Sequence, residues 1–276
     1  MMASPTFLLL AYCLAITAFS LMGGLVPSRI HMTHTRTQLV MSLVSGLMLG
    51  VAFYHLLPDS AALMGGPDGV NATVSWLMLG LIVMLLLLRV FHFHQHDFSR
   101  EQDGPHDHPD HAHGSRVHGL SWVGLALGLA VHTLIDGVAL GAVLRAGSEA
   151  GGLIGFGVFL AILLHKPLDS MSVVTVMAAG GWSRKACANM NLAFALICPL
   201  GALLFFFGVN AVAGGGEHLV GAALAFSAGA FICIALSDLL PEVHFHSHDR
   251  AKLTLAFLLG IGLAYAIGYV EPTGLH

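Results

Sequence analysis

Apolar residues along this chain gather into long unbroken runs separated by short polar stretches, without the strict alternation of half-buried strands. Eight runs, approximately 6–27, 38–57, 73–93, 120–144, 152–178, 189–210, 219–240 and 251–270, each come near the roughly 20 residues a helix needs to cross a hydrocarbon core. Closed β-barrels also satisfy every backbone group in lipid, but their strands are about half as long and alternate in polarity. The pattern therefore predicts an all-α polytopic membrane bundle of eight transmembrane helices, forming one domain over 1–276.

Composition supports lipid as the solvent. Charged residues are 9% and hydrophobic ones 56% of the 276 positions, and mean hydropathy is +0.81. A soluble globular chain is about a quarter charged, so this one cannot cover a water-facing surface. The 33 glycines suit close helix packing in lipid. Cys13, Cys187, Cys198 and Cys233 form no C-x-x-C pair, fall in or beside apolar runs, and read as packing residues. The first run lacks the basic flank of a cleaved leader and is expected to be a retained helix.

Orientation follows from the basic residues. With the N-terminus outside, the cytoplasmic connections hold Arg29, Arg36, Arg89, Arg100, Arg116, Arg184, Lys185, Arg250 and Lys252. The outer connections hold only Arg145, and Lys166 lies within a run. Eight spans put the C-terminus outside as well. The net charge of −4 gives no reason to expect a nucleic-acid partner.

One connection is long. Residues 92–118 form a His-rich cytoplasmic loop with His92, His94, His96, His106, His108, His111, His113 and His118. Gly, Pro and Asp fill it with little apolar matter, so it is expected to be disordered without a ligand. Neutral imidazole is a common transition-metal ligand, which makes His106, His108, His111 and His113 candidates for metal buffering or sensing. A smaller cluster, His244, His246 and His248, follows the seventh run on the same side.

A short internal match is also present. GLMLGVAFYHLLPD (46–59) in the second run and GAFICIALSDLLPE (229–242) in the seventh share Gly, Ala, Leu-Leu-Pro and an acid in register. The two runs cross in opposite directions, as inverted repeats of secondary transporters do.

Ionisable side chains inside a membrane are costly and mark function. Here they come in pairs at i, i+4: His55 with Asp59, His132 with Asp136, His165 with Asp169, and Asp238 with Glu242. That spacing places both members on one helix face. His132 and His165 lie near the middle of the fourth and fifth runs, so two His and two Asp are expected to meet near the bilayer midplane. Imidazole and carboxylate in fourfold array suit Zn(II), and also Fe(II) or Mn(II); a salt bridge alone would not need two His. Met48 is a candidate soft fifth ligand. His55 and Asp59 would stand at the outer mouth, Asp238 and Glu242 at the inner mouth.

At this point the chain resembles the ZIP (Zrt/Irt-like) family of divalent metal transporters. H-T-L-I-D-G-V-A-L-G (132–141) looks like the family's H-N-x-x-[DE]-G signature, and H-K-P-L-D (165–169) resembles its second signature. The L-P-E-V stretch after the seventh run, the eight spans, the outside termini and the His-rich third loop also match. The resemblance implies helices arranged as three, two and three. It implies transport of Zn(II), sometimes of Fe(II), Mn(II) or Cd(II), into the cytoplasm, with no enzyme activity, often as a homodimer in a cell membrane. On that resemblance His132, Asp136, His165 and Asp169 map onto the primary transport site and Met48 onto a second-helix ligand. Thr133 and Lys166 depart from the family pattern, and Lys166 stands where many members bind a second metal. A fixed ammonium repels a dication, so a single-metal centre is expected, with Lys166 as electrostatic substitute for the second ion.

Two other classes compete. An intramembrane zinc-dependent hydrolase also sets His and Asp within helices, but near one face, where water and substrate meet. A haem carrier could use His132 and His165 as axial ligands, yet leaves the two Asp unexplained.

Overall fold

A computed structural model describes residues 4–25, 34–66, 68–92, 118–147, 153–209, 216–239 and 250–271. Among these the chain is almost wholly helical, with no strand. The helices are α1 (Pro5–Leu25), α2 (His34–Val51, continuing through Ala52–Leu56 and Leu57–Met64), α3 (Gly69–His92) and α4 (His118–Ala146). They are followed by α5 (Phe156–Ala179), α6 (Arg184–Gly208), α7 (Gly216–Ile234, then Ala235–Leu239) and α8 (Arg250–Ile267). All eight are long and apolar enough to cross a membrane, and the protein is a polytopic α-helical membrane protein.

α2 runs further than the apolar pattern suggests, to Met64 rather than 57. Pro58 has no N–H and would clash with the carbonyl one turn back in a regular α-helix. The chain meets this with a π turn over Ala52–Leu56, which widens the ladder just before the proline. A second π turn, Ala235–Leu239, lies in α7. Both start six residues after a glycine, Gly46 and Gly229, so the 46–59 and 229–242 match in sequence is also a match in backbone irregularity. α2 and α7 are antiparallel neighbours: the Ser45 hydroxyl donates to the Ala235 carbonyl and the Ser60 hydroxyl to that of Gly221.

Packing depends on backbones meeting at glycine. α2 lies along α8, and a Cβ on Gly46 would collide with the Phe257 carbonyl, one on Gly260 with that of Leu43. α3 lies along α7 in the same way, with Gly80 against the Phe226 carbonyl and Gly229 against that of Leu77. α1 meets α5 where Gly23 abuts the backbone of Pro167, and α6 meets α4 where Gly201 abuts the Leu134 carbonyl. Pro167 and Leu134 hold the same place, two residues after His165 and His132. Lipid offers no hydrophobic drive between helices, so such close approach is what holds the rods together. α7 is the most enclosed helix, while α3 and α8 are mostly surface. All four cysteines are buried, and none is in a disulfide.

Gly260→Leu is expected to force α8 off α2 and to lower stability by at least the roughly 1–3 kcal/mol typical of overpacking. Gly262→Leu, where an added Cβ meets nothing within 4 Å, is expected to change little. Thermal unfolding of the two variants in detergent compares them.

Candidate metal centre

Four of the paired residues converge. His132 and Asp136 come from one face of α4, His165 and Asp169 from one face of α5. Their ligand atoms all lie within 4.8 Å of one another. His132, Asp136 and His165 are buried, and Asp169 alone keeps an opening, with 15% of its side chain exposed. The helices that carry them are fixed from both sides. Gly137 lets α4 approach the Cys198 carbonyl of α6. On α5 the Ser170 hydroxyl meets that of Ser20 on α1 at 2.6 Å.

Hydrogen bonding turns donor atoms inward. His165 Nδ1–H donates to the Ala161 carbonyl at 2.8 Å, which leaves Nε2 as the atom facing the carboxylates. That Nε2 stands 3.2 Å from Asp136 Oδ2 and 3.8 Å from Asp169 Oδ2. His132 Nε2 stands 3.4 and 3.6 Å from the same two oxygens. Neither His132 nitrogen has a hydrogen-bond partner among the described residues, nor has Asp136 Oδ1, although all three are buried. Orphaned polar atoms at depth are rare, because each leaves a desolvation cost uncompensated. Tetrahedral zinc at about 2.0–2.2 Å from each ligand would hold those ligands roughly 3.3–3.6 Å apart, close to the spacings observed.

A cation already belongs to the cluster. Lys166, fully buried, places Nζ 2.5 Å from Asp136 Oδ2 and 2.9 Å from Asp169 Oδ2, and donates to Thr133 Oγ1 at 3.1 Å. The ring of Phe194 on α6 lies 6.0 Å from the ammonium, at the outer range of a cation–π contact. Pro167, next in sequence, leaves one backbone carbonyl of α5 without its helical donor. Lys166 thus takes one oxygen of each carboxylate, while Asp136 keeps Oδ1 unbonded.

Met48 is fully buried on α2, which packs against α5. His55 is buried in the π turn, away from the central four. Its Nε2–H donates to the Ala264 carbonyl of α8 at 2.9 Å, and its Nδ1 lies 2.8 Å from Glu271 Oε2. Asp59 follows beyond that turn, so the one-turn spacing argument does not carry over unchanged to His55 and Asp59. Asp238 sits in the second π turn, its side chain outside the described residues. Glu242, His106, His108, His111, His113 and the other loop histidines also lie outside them. The spacing arguments missed Glu271, Thr133 as a lysine partner, and Phe194. Only Thr133 carried a signal, as a departure inside a signature; no spacing links residues 55 and 271.

Known proteins resemble the chain over most of its length. The family model described as ZIP Zinc transporter matches residues 92–268. Zinc transporter ZIP9-B of Xenopus laevis is 27% identical, with 86% of each chain covered. Zinc transporter ZIP9 of Xenopus tropicalis is 28% identical over 86% of this chain and 85% of its own length. ZIP9 of Micropogonias undulatus is 29% identical over 63% of this chain and 53% of its own. A transporter rather than an enzyme, with zinc as its substrate, the chain belongs to the ZIP zinc transporter family.

Proposed function

We propose that this protein carries Zn(II) from outside into the cytoplasm through His132, Asp136, His165 and Asp169. The observation that supports this most is the set of four imidazole–carboxylate separations of 3.2, 3.4, 3.6 and 3.8 Å, with both His132 nitrogens lacking a hydrogen bond at depth. Hydrated zinc exchanges its water for these four groups, and Met48 adds a soft contact from α2. His55 and Asp59 belong to the outer part of the route, Asp238 and Glu242 to the inner part.

Alternating access fits the burial pattern. Toward the first turn of α5 the site is covered by buried Ala161, Ile162 and Val158 and by the stacked rings of Tyr12 and Phe159, 4.1 Å between centroids. Asp169, the partly exposed member of the four, lies one helical turn nearer Ala179 than His165. The excess of basic residues on that side marks it as cytoplasmic. Both termini are then outside. The His-rich loop 92–118 lies inside, where His106, His108, His111 and His113 buffer arriving metal.

Three outer helices, a central α4–α5 pair and three more outer helices form the bundle, in one transporter domain over 1–276. Glycine contacts repeated on both sides of the α4–α5 pair support that arrangement. A cell (inner) membrane and a homodimer complete the reading, and Fe(II), Mn(II) and Cd(II) are secondary substrates by ligand chemistry. The intramembrane hydrolase is disfavoured by the family membership.

Lys166 makes the centre a single-metal site. Its ammonium lies on the same two carboxylates that would bridge a second ion, and like charges repel at that range.

His132→Ala is expected to lower zinc uptake in proteoliposomes by more than the roughly 10–100-fold that loss of an outer-sphere partner costs. Its melting temperature without zinc is measured alongside, and a fall of no more than the few degrees that a buried cavity costs leaves the lost flux assigned to the lost ligand. Unchanged flux would overturn the site assignment. Anomalous diffraction at the zinc edge is expected to give one peak at the centre of the unmutated protein. Lys166→Glu is expected to add a second peak beside it. Two adjacent peaks without mutation would refute the role given to Lys166.

A further inference from the structure

We infer that His55 and Glu271 form a proton-requiring latch that holds the outer ends of α2, α5 and α8 together, and that Glu271 is a positioning residue for transport. The inference rests on the carrier reading above, since a latch regulates only a site that must open outward.

The geometry joins three helices through one carboxylate. Glu271, four residues beyond α8, is held by its N–H to the Ile267 carbonyl at 2.9 Å. Its Oε1 accepts the Gly157 N–H from the first turn of α5 at 2.7 Å, a donor with no partner within its own helix. Its Oε2 lies 2.8 Å from Nδ1 of His55 on α2. The other His55 nitrogen meets the Ala264 carbonyl at 2.9 Å, so α8 grips the ring from both sides. His55 is buried, and Gly157 packs close to the imidazole. α5, which carries His165 and Asp169, is thereby fixed at its first turn.

Counting protons gives the latch its chemistry. A carbonyl oxygen only accepts, so Nε2 must carry a hydrogen. Nδ1 faces a carboxylate oxygen at hydrogen-bond distance, so a second hydrogen must lie between them, on either atom. The closed arrangement therefore holds one proton more than a neutral imidazole beside an ionised carboxylate. Removing that proton sets two lone pairs against each other in a buried place, and the latch is driven apart.

The surrounding groups fix the sign. Asp59 is the charged side chain that follows His55 on α2. Tyr12 on α1 is the titratable group beside the first turn of α5, stacked on Phe159. On α8, the Tyr265 and Tyr269 hydroxyls are bonded to each other at 2.7 Å. The first turn of α5 brings a backbone amide, and residues 222–234 of α7 carry no charged side chain. Closure is favoured at low pH and lost as pH rises, the open population growing by up to about tenfold per pH unit. Both ring nitrogens are committed while the latch is closed, so His55 acts as a gate on the route.

Spin labels at Leu153→Cys and Val270→Cys, both exposed, report the distance between the starts of α5 and the tail of α8. It is measured in liposomes without zinc, so that proton competition at the central imidazoles does not enter. From about pH 6 to about pH 8.5, across the usual imidazole range, the unmutated protein should pass from one short distance to a mixture with a longer one. Glu271→Gln can accept the Gly157 N–H and donate to a neutral His55, so it should keep the short distance at every pH. Glu271→Ala should show the longer distance throughout. A distance that ignores pH in the unmutated protein, or a Gln variant that responds to pH as the unmutated protein does, would overturn the latch. A pH-dependent shift in a protein with no zinc uptake would uphold the latch and overturn the carrier reading.

Discussion

Lys166, Asp136 and Asp169 impose the constraint around which the rest of the bundle is arranged. An ammonium and two carboxylates in an apolar slab are tolerable only as a compact hydrogen-bonded group, and leaving one member unpaired costs about 3–5 kcal/mol. The group must therefore be held on two helices that cannot drift apart. That requirement explains why α4 and α5 are each braced on their far sides, by glycine against Cys198 and Leu134 on one flank and by glycine and serine contacts of α1 on the other. The same bracing holds the two imidazoles, so the ion cluster and the candidate metal ligands share one scaffold.

Charge accounting at the centre also shapes transport. With neutral imidazoles the four site residues and Lys166 carry one net negative charge, and with a dication one net positive charge. Without the lysine the empty site would carry two negative charges at depth, a far more expensive state in which to turn between faces. On the carrier reading proposed above, Lys166 lowers the cost of the empty site and limits it to one ion.

Much of this was legible in the sequence, for identifiable reasons. Eight spans follow from run length alone, since lipid enforces one physical rule on every crossing segment. His132, Asp136, His165 and Asp169 were legible because each pair lies on regular helix and because intramembrane charges are few. Glu271 was not, because its role arises from tertiary contact across 216 positions of sequence, which no periodicity encodes. The far end of α2 was not, because the apolar run gives out near 57 and the π turn that carries the helix past Pro58 has no composition of its own.

Those π turns have a consequence for anyone reading the faces of α2 and α7. An ordinary helix advances about 100° per residue, and a widened turn breaks that count. Residues 57–64 must be placed on a wheel begun afresh after Leu56, whereas 34–51 obey one begun at His34. A scan of the C-terminal half of α2 plotted on a single continuous wheel would come out rotated, with lipid-facing and bundle-facing positions confused, and α7 needs the same correction from Ala235 onward.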